Sequence, residues 1–375
     1  TLLGGVQGYF TRLRETGLYV ISAEDEKTSP YYGVPYTSIG KKHANEVGFF
    51  VQDEWNVTPK LTVVPGIRVD SHSSGEEYAT SVKVSDSAFP TTKFSKTTVN
   101  PRIAIKYELT PSLVLRANVG TGFRAPYGFS EDLHLCSGSP RVWKSSNLKG
   151  ERAISYNLSA DYYAKKYQFS INIFRTNLKD KIQFSPADDE VKKFGYSYQW
   201  ENVDDAYVQG VELGAKANLF RNFNAGINWT FNQGKFKHER ADWSDPNDET
   251  VKEFPQRLQY AKDSRNISRF PAMTGDIDLD YTPGTWTFSL TSSLQGRMFI
   301  DYNSEDDGAT SKIKKTNTFM IFNCRAAKRF GTCTVYAGAK NIFSYIQDEK
   351  HTDDAAFMYA PVYGATWYVG LSVKL

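Results

Sequence analysis

NFNAGINWTFN, residues 222 to 232, decides the fold. Phe223, Ala225, Ile227, Trp229 and Phe231 fall on one parity, and Asn222, Asn224, Gly226, Asn228, Thr230 and Asn232 on the other. Successive side chains of a strand point to opposite faces, so this period of two describes a strand with one apolar face and one wet face. The same split runs through residues 113 to 123, where Leu113, Leu115, Ala117, Val119 and Phe123 oppose Arg116, Asn118, Gly120 and Gly122. It returns at 286 to 297, with Trp286, Phe288, Leu290 and Leu294 against Thr287, Ser289, Thr291, Ser293, Gln295 and Arg297. The chain closes on it, with Trp367, Val369, Leu371, Val373 and Leu375 against Tyr368, Gly370, Ser372 and Lys374.

These runs are about ten to thirteen residues long, whereas strands of soluble proteins usually have five or six. A tilted strand needs roughly that greater length to cross a bilayer. The connections alternate in the same sense. Tight turns fall at Thr58-Pro59-Lys60, Thr110-Pro111-Ser112, Ala164-Lys165-Lys166, Phe220-Arg221-Asn222, Pro283-Gly284-Thr285 and Arg329-Phe330-Gly331. Long polar segments lie between them, at 14–42, 73–96, 125–150, 235–270, 300–316 and 344–362. Short turns at one end and long loops at the other are the pattern of an outer-membrane barrel, with the turns periplasmic and the loops extracellular. The reading is therefore an all-β, antiparallel transmembrane β-barrel wall of about fourteen strands, spanning residues 1–375. Trp55, Phe123, Trp229, Trp286 and Trp367 are expected in aromatic girdles at the two interfaces.

Composition fits this reading and removes others. Aromatic residues make up 14% of the chain, yet the mean hydropathy is −0.49. No stretch approaches the roughly 18 to 20 consecutive apolar residues of a membrane-spanning helix, so any crossing falls to strands. The net charge is +3 and the cations form no cluster in sequence, which excludes nucleic acid as the expected partner. Cys136, Cys324 and Cys333 are too few for a disulfide framework and lack metal-site spacing. No nucleophile–base arrangement, phosphate loop or zinc motif appears, and Asp204-Asp205 and Asp353-Asp354 sit at loop or strand ends; the chain is not expected to be an enzyme.

The strand from Leu113 leaves the membrane at Phe123-Arg124-Ala125-Pro126, where proline, lacking an N–H, ends the ladder. Gly120 and Gly122 face the lumen, where a missing side chain lets something bulky approach the wall. GFRAP at 122–126, followed by SNLKGER at 146–152, resembles the paired FRAP and NPNL-PE boxes of TonB-dependent outer-membrane receptors. EVGFFVQDEWNVTPKLTVVPGIRVD at 46–70, ENVDDAYVQGVEL at 201–213, YAGAKNIF at 336–343 and HTDDAAFMYAPVYGATWYVGLSV at 351–373 resemble the same family. Ser146 and Gly150 stand where that box has prolines, and Leu375 where the family has a terminal aromatic.

The resemblance implies a barrel of roughly 22 strands around an N-terminal plug, of which this chain would be the C-terminal part of about fourteen strands. Plug, TonB-contacting box and first strands are then expected outside this chain. Phe123, Arg124, Ala125, Pro126, Asn147 and Leu148 are the matching motif positions. Arg116, Asn118, Gly120, Gly122, Asn228 and Arg297 are expected to face the plug. The implied activity is TonB-dependent uptake of a scarce metal chelate, haem or a corrinoid or iron complex, across the bacterial outer membrane. A receptor for a siderophore or glycan is the alternative within the family, and a passive pore of about fourteen strands or an adhesin barrel the alternative outside it.

Ligand contacts are expected on the loops. Haem receptors of the family carry a histidine between the two boxes, where His134 stands here, and a neutral imidazole ligates haem iron. His351, Met358 and Tyr359 on the last loop, and Trp143 with Tyr127, Phe129 and Tyr363, suit either a haem or a corrinoid such as cobalamin. His351-Thr352-Asp353-Asp354 also has the oxygen-rich character that suits calcium, and no other metal is assigned. Expected partners are the TonB complex, the N-terminal remainder of the receptor, a surface lipoprotein over the loops, and membrane lipid or lipopolysaccharide.

Overall fold

Two threonine–proline turns fix how the sheet folds at its tight end. Thr58 Oγ1 accepts from the N–H groups of Lys60 (3.2 Å) and Leu61 (3.0 Å), and Thr110 Oγ1 accepts from those of Ser112 (3.2 Å) and Leu113 (3.0 Å). Each hydroxyl accepts the N–H groups just after the proline and holds the turn that sends the chain back antiparallel. Asn222, Gly284 and Gly331 turn the chain with positive φ of 65°, 63° and 60°. All six expected tight turns are present.

The computed structural model describes residues 1–20, 32–82, 88–127, 143–186, 188–194, 196, 198–238, 265–267, 269–299, 316–347 and 359–374. They form one sheet of sixteen strands. The strands are β1 (Leu2–Tyr19), β2 (Tyr36–Asp53), β3 (Trp55–Thr58), β4 (Leu61–Thr80), β5 (Thr92–Thr110), β6 (Leu113–Arg124), β7 (Trp143–Lys144) and β8 (Glu151–Tyr163). They continue as β9 (Tyr167–Pro186), β10 (Tyr198–Phe220), β11 (Phe223–Phe236), β12 (Met273–Tyr281), β13 (Trp286–Gln295), β14 (Phe319–Phe330), β15 (Cys333–Lys340) and β16 (Thr366–Val373). Fourteen of them follow one another as an antiparallel meander, the expected number. The two others are short: β3 continues β2 against β4, and β7 pairs in parallel with β10. Among the described residues, β1 and β16 each have one unpaired edge, so the fourteen strands do not close on themselves.

Side chains sort as the alternation requires. Outward positions carry Val99, Ile103 and Ile105 on β5, Ile154, Tyr156 and Leu158 on β8, and Phe169, Ile171 and Ile173 on β9, all exposed. In water that surface is untenable; in hydrocarbon each such side chain is favoured by about 1.5–3 kcal/mol. Trp55, Trp286 and Trp367 stand exposed on the outer wall as the girdle reading requires. Phe123 does not: above Gly120 its strand no longer pairs with β5, and its ring lies 4.9 Å from that of His72 and 6.0 Å from that of Phe94.

Several strands are longer than expected. β4 and β9 have 20 residues and β10 has 23, so a 20-residue strand reaches about 66 Å, more than twice the roughly 30 Å hydrocarbon thickness. Parts of the segments read as loops, 14–19, 36–42, 73–80 and 92–96, are thus strand that stands clear of the membrane. Polar residues stand on both faces there, buried on one of them at Ser38, Lys42, Ser74, Glu76 and Thr92, so the apolar alternation that marks a crossing strand is absent. A four-residue helix, Asp189–Lys192, lies in the connection from β9 to β10, and Asp188 Oδ1 caps it by accepting from the Val191 N–H at 2.9 Å.

Candidate functional site

The lumen wall is a lattice of hydrogen-bonding side chains. Asn157 Nδ2 donates to Asn118 Oδ1 at 2.9 Å, Asn228 Nδ2 to Asp276 Oδ2 at 2.8 Å, and Asn172 Nδ2 to Glu212 Oε2 at 2.8 Å. Arg116 pairs with Asp161 on the neighbouring strand. Arg297, just beyond β13, is exposed. A Cβ on Gly120 would meet Arg102 Cβ at 3.5 Å and one on Gly122 would meet Ala153 Cβ at 3.9 Å, both ordinary contacts. The wall itself therefore does not require glycine at either position.

At the loop end residues 143–150, ahead of β8, lie against the wall. Their segment β7 lies along Gln199 and Trp200 of β10. Trp143 packs against Val191 and Tyr196, and the Tyr196 hydroxyl donates to Ala88 O at 2.6 Å. Lys144 Nζ reaches β4 and meets Glu76 Oε1 at 2.6 Å. Glu76 also accepts from the Tyr78 hydroxyl at 2.6 Å and faces Lys42 in the β2–β4 register; Lys42 in turn lies 3.1 Å from Glu15. Burial opposes ionisation of Glu76, but Lys144 and Lys42 outweigh it and hold the carboxyl below the ordinary carboxylate value.

The two motif boxes meet through Tyr127, which is fully buried. Its hydroxyl donates to Ser145 O at 2.7 Å and accepts from the Leu148 N–H at 3.0 Å. Burial is the main cause that pushes the phenol up to about 12, the Leu148 N–H opposes the rise and the Glu76 charge adds to it. Arg124 and Glu151 close the base of the loop at 3.1 Å. Pro126 and Leu148 are buried, Ala125 half-buried and Asn147 exposed. Asn202 joins the boxes to β10, accepting from the Lys149 N–H (2.8 Å) and donating to Lys149 O (3.0 Å) and Asp180 O (2.8 Å). Its neighbour Asp204 accepts from the N–H groups of His238 (2.7 Å) and Asp205 (2.7 Å), so this aspartate fastens strand ends. Burial raises the Asp204 carboxyl, and these donors bring it below the ordinary value.

Of the expected ligand contacts, His134, His351 and Met358 lie outside the described residues, as do Cys136 and Phe129. Trp143 is half-buried at the mouth. Tyr359 is buried with Met298 and Phe319, and its N–H donates to Gln347 Oε1 at 2.9 Å, so it forms part of the packing under the last loop. The buried charges Glu76, Lys144 and Lys42, with the half-buried Glu15, escaped the sequence reading, because charges in a polar segment carry no signal that distinguishes a buried pair from a solvated face. Among the described residues, no group of three or more His, Cys, Asp or Glu side chains is arranged to hold a metal ion.

Comparison with known proteins adds the relationship. A family model described as TonB dependent receptor-like, beta-barrel, matches residues 2–342. The chain is 26% identical over 266 residues to the vitamin B12 transporter BtuB of Photobacterium profundum, covering 69% of this chain and 36% of the relative. It is 25% identical over 202 residues to the ferric enterobactin receptor of Pseudomonas aeruginosa, covering 49% of this chain and 24% of that protein. The solved ferric yersiniabactin uptake receptor FyuA of Yersinia pestis shares the fold, with a TM-score of 0.64 at 15% identity over 99% of this chain and 50% of that one. The chain thus spans half or less of the length of each.

Proposed function

The chain belongs to the TonB-dependent receptor-like β-barrel family, and on that footing we propose that it forms the wall and outer mouth of a transporter that takes a scarce metal chelate across the outer membrane under TonB control. The observation that carries this reading is the segment held at the mouth, clasped by Tyr127 and by the Lys144–Glu76 pair. A buried clasp gives the mouth a fixed shape, which a receptor requires and a simple pore does not. The hydrogen-bonding lumen face, with Arg116, Asn118, Asn228 and Arg297 and the room over Gly120 and Gly122, supports contact with a plug. The unpaired edges of β1 and β16 speak against a closed pore made of these strands alone, since a spanning sheet cannot leave open edges in hydrocarbon.

Haem and a corrinoid are the two ligands the reading carries forward. His134 and His351 favour haem by their chemistry, and the BtuB relative favours a corrinoid. The ferric enterobactin relative keeps a siderophore as the second reading. Trp143 contributes apolar surface at the mouth, while Tyr359 acts by shaping the last loop. The test is uptake of labelled haemin, cyanocobalamin and ferric enterobactin by intact cells with and without the gene. Gene-dependent uptake of one of them that collapses with the proton gradient supports the proposal, and uptake that ignores the gradient overturns it.

A further inference from the structure

The inner wall is divided in charge between two neighbouring panels. β12 turns Asp276, Asp278 and Asp280 to the lumen, the face on which Asn228 donates to Asp276. β14, β15 and β16 contain no Asp or Glu. Val335, Trp367, Val369 and Leu371 of these last strands are exposed on the outer wall, so the opposite parity faces inward. On that inner face Lys340 is followed toward the turns by Arg325 with Tyr368, then by Tyr336, then by Arg329. Between Lys340 and Thr334, the partner of Arg329, the row runs about 20 Å along the strand, against a hydrocarbon thickness of roughly 30 Å.

The row presents charge and rings together. The Arg325 guanidinium lies over the Tyr336 ring, 4.5 Å from its centre, and the Tyr336 and Tyr368 rings meet edge to face at 6.3 Å. Each ring lies across a glycine of the neighbouring strand: a Cβ on Gly370 would sit 2.6 Å from Tyr336 Cε2, and one on Gly338 2.6 Å from Tyr368 Cζ. Arg325, Arg329 and Lys340 are exposed, and none of them has an ion pair among the described residues. Asp280 stands two strands from Arg325 in the same row, and its Oδ1 accepts from the Ser289 hydroxyl at 2.5 Å. A guanidinium held over a ring is pre-organised for two-point contact with a carboxylate or a pair of phenolate oxygens. Cations of one sign along a lumen with low-dielectric walls raise the local concentration of anions.

We propose that Lys340, Arg325 and Arg329, with Tyr336 and Tyr368, form a track on the lumen wall for an anionic chelate, whose oxygens carry the charge and whose rings pack on tyrosine as it passes from the mouth to the turn end. The proposal rests on the transport reading and deepens it by naming the charge of the cargo. The acidic row of β12 repels the same cargo and confines it to the β14–β16 side. An anion belonging to the N-terminal remainder of the receptor has the same chemistry, and the test separates the two sources.

The test compares uptake by energised cells with surface binding by de-energised cells for the full-length receptor, with ferric enterobactin and haemin as anionic probes and cyanocobalamin as the uncharged one. Arg325→Gln/Lys340→Gln removes two cations of the track, Arg325→Lys/Lys340→Arg keeps both charges, and Lys216→Gln removes a lumen cation in the row of Asp278. The double Gln variant is expected to slow uptake of the anionic probe about tenfold while surface binding and thermal unfolding stay unchanged. The charge-keeping variant is expected to retain most of the uptake, and Lys216→Gln all of it. Unchanged uptake in the double Gln variant, or an equal fall in its surface binding, would overturn the proposal. A lowered unfolding temperature without ligand would overturn it in favour of an anion of the receptor itself. Uptake of cyanocobalamin alone would overturn the anionic track and leave the transport reading standing, whereas uptake of none of the three would overturn both.

Discussion

Lys144 of the segment ahead of β8 meets Glu76 of the wall at 2.6 Å, with the lysine side chain 8% exposed and the carboxylate 1%. The pair joins residues 68 positions apart, so it is one of the tertiary contacts that fix this segment on the barrel. Glu76→Gln removes the buried carboxylate that faces both Lys144 and Lys42. Glu76→Gln is expected to cost about 3–5 kcal/mol, and the double change Glu76→Met/Lys144→Met much less. Urea unfolding in lipid vesicles measures both, and equal losses would mean that the pair is not coupled.

The same carboxylate makes the clasp acid-sensitive. Its folded-state value lies below the ordinary 4.5, so its contribution is fully present above that pH and is lost as the pH falls below it. Hydrogen exchange at residues 143–150, followed from neutral to acid pH, is expected to accelerate below about 4.5, and Glu76→Gln is expected to remove that dependence.

Tyr127→Phe removes the hydroxyl that ties the two motif boxes together and leaves Ser145 O and the Leu148 N–H unpaired in a buried site. A cost of about 1–3 kcal/mol is expected, confined to the loop. In the unaltered protein the phenol, raised from 10 to about 12, adds a second limit: its contribution is present below pH 10 and is lost as the pH rises through 12. Loop exchange in the variant is expected to be faster at neutral pH and to lose that alkaline step.

Depth in the bilayer sets the cost of charge on the outer wall. Ile227 lies midway along β11, faces outward and is exposed, so Ile227→Arg is expected to cost about 2–4 kcal/mol. Leu115 sits three residues above the turn at Ser112, near the interface, and Leu115→Arg is expected to cost no more than about 1 kcal/mol. Asn228→Ala, on the opposite face, loses only its bond to Asp276. Equal effects for Ile227→Arg and Asn228→Ala on folding into lipid vesicles would contradict the assignment of faces.

Gly210 and Gly120 separate packing within the wall from packing against an occupant. A Cβ on Gly210 would collide with Phe231 O and sit 2.7 Å from the Phe174 ring, whereas one on Gly120 meets only ordinary contacts. Gly210→Ala is expected to destabilise the sheet by about 1–3 kcal/mol. Gly120→Ala is expected to be neutral for folding of the wall, and thermal unfolding of the two variants in detergent distinguishes them.

The membrane-crossing parts of the sheet were legible because one face must be apolar and the other not. Residues 222–232 and 286–297 announce their strands, and Thr58-Pro59 and Thr110-Pro111 their turns, through local chemistry alone. The upper halves of β1, β2, β4 and β5 were not legible, since a strand with polar residues on both faces has no apolar period to detect. HSSGEEYAT, residues 72 to 80, reads as loop although Glu76 within it is among the most buried side chains. Its burial depends on Lys144, and no local pattern reports a partner so distant. The motif boxes were visible as boxes, but Tyr127, which joins them, was visible only as an aromatic.

The most direct measurement of the central claim is an absorption and equilibrium-binding titration of the purified protein, with whatever segments co-purify, against haemin and cyanocobalamin. Saturable one-to-one binding of one of them is expected. A shifted Soret band lost in His134→Ala would establish haem, and cobalamin retained on gel filtration would establish a corrinoid. Binding of neither, together with steady ion conductance in a planar bilayer, would contradict the receptor reading and leave a passive pore in its place.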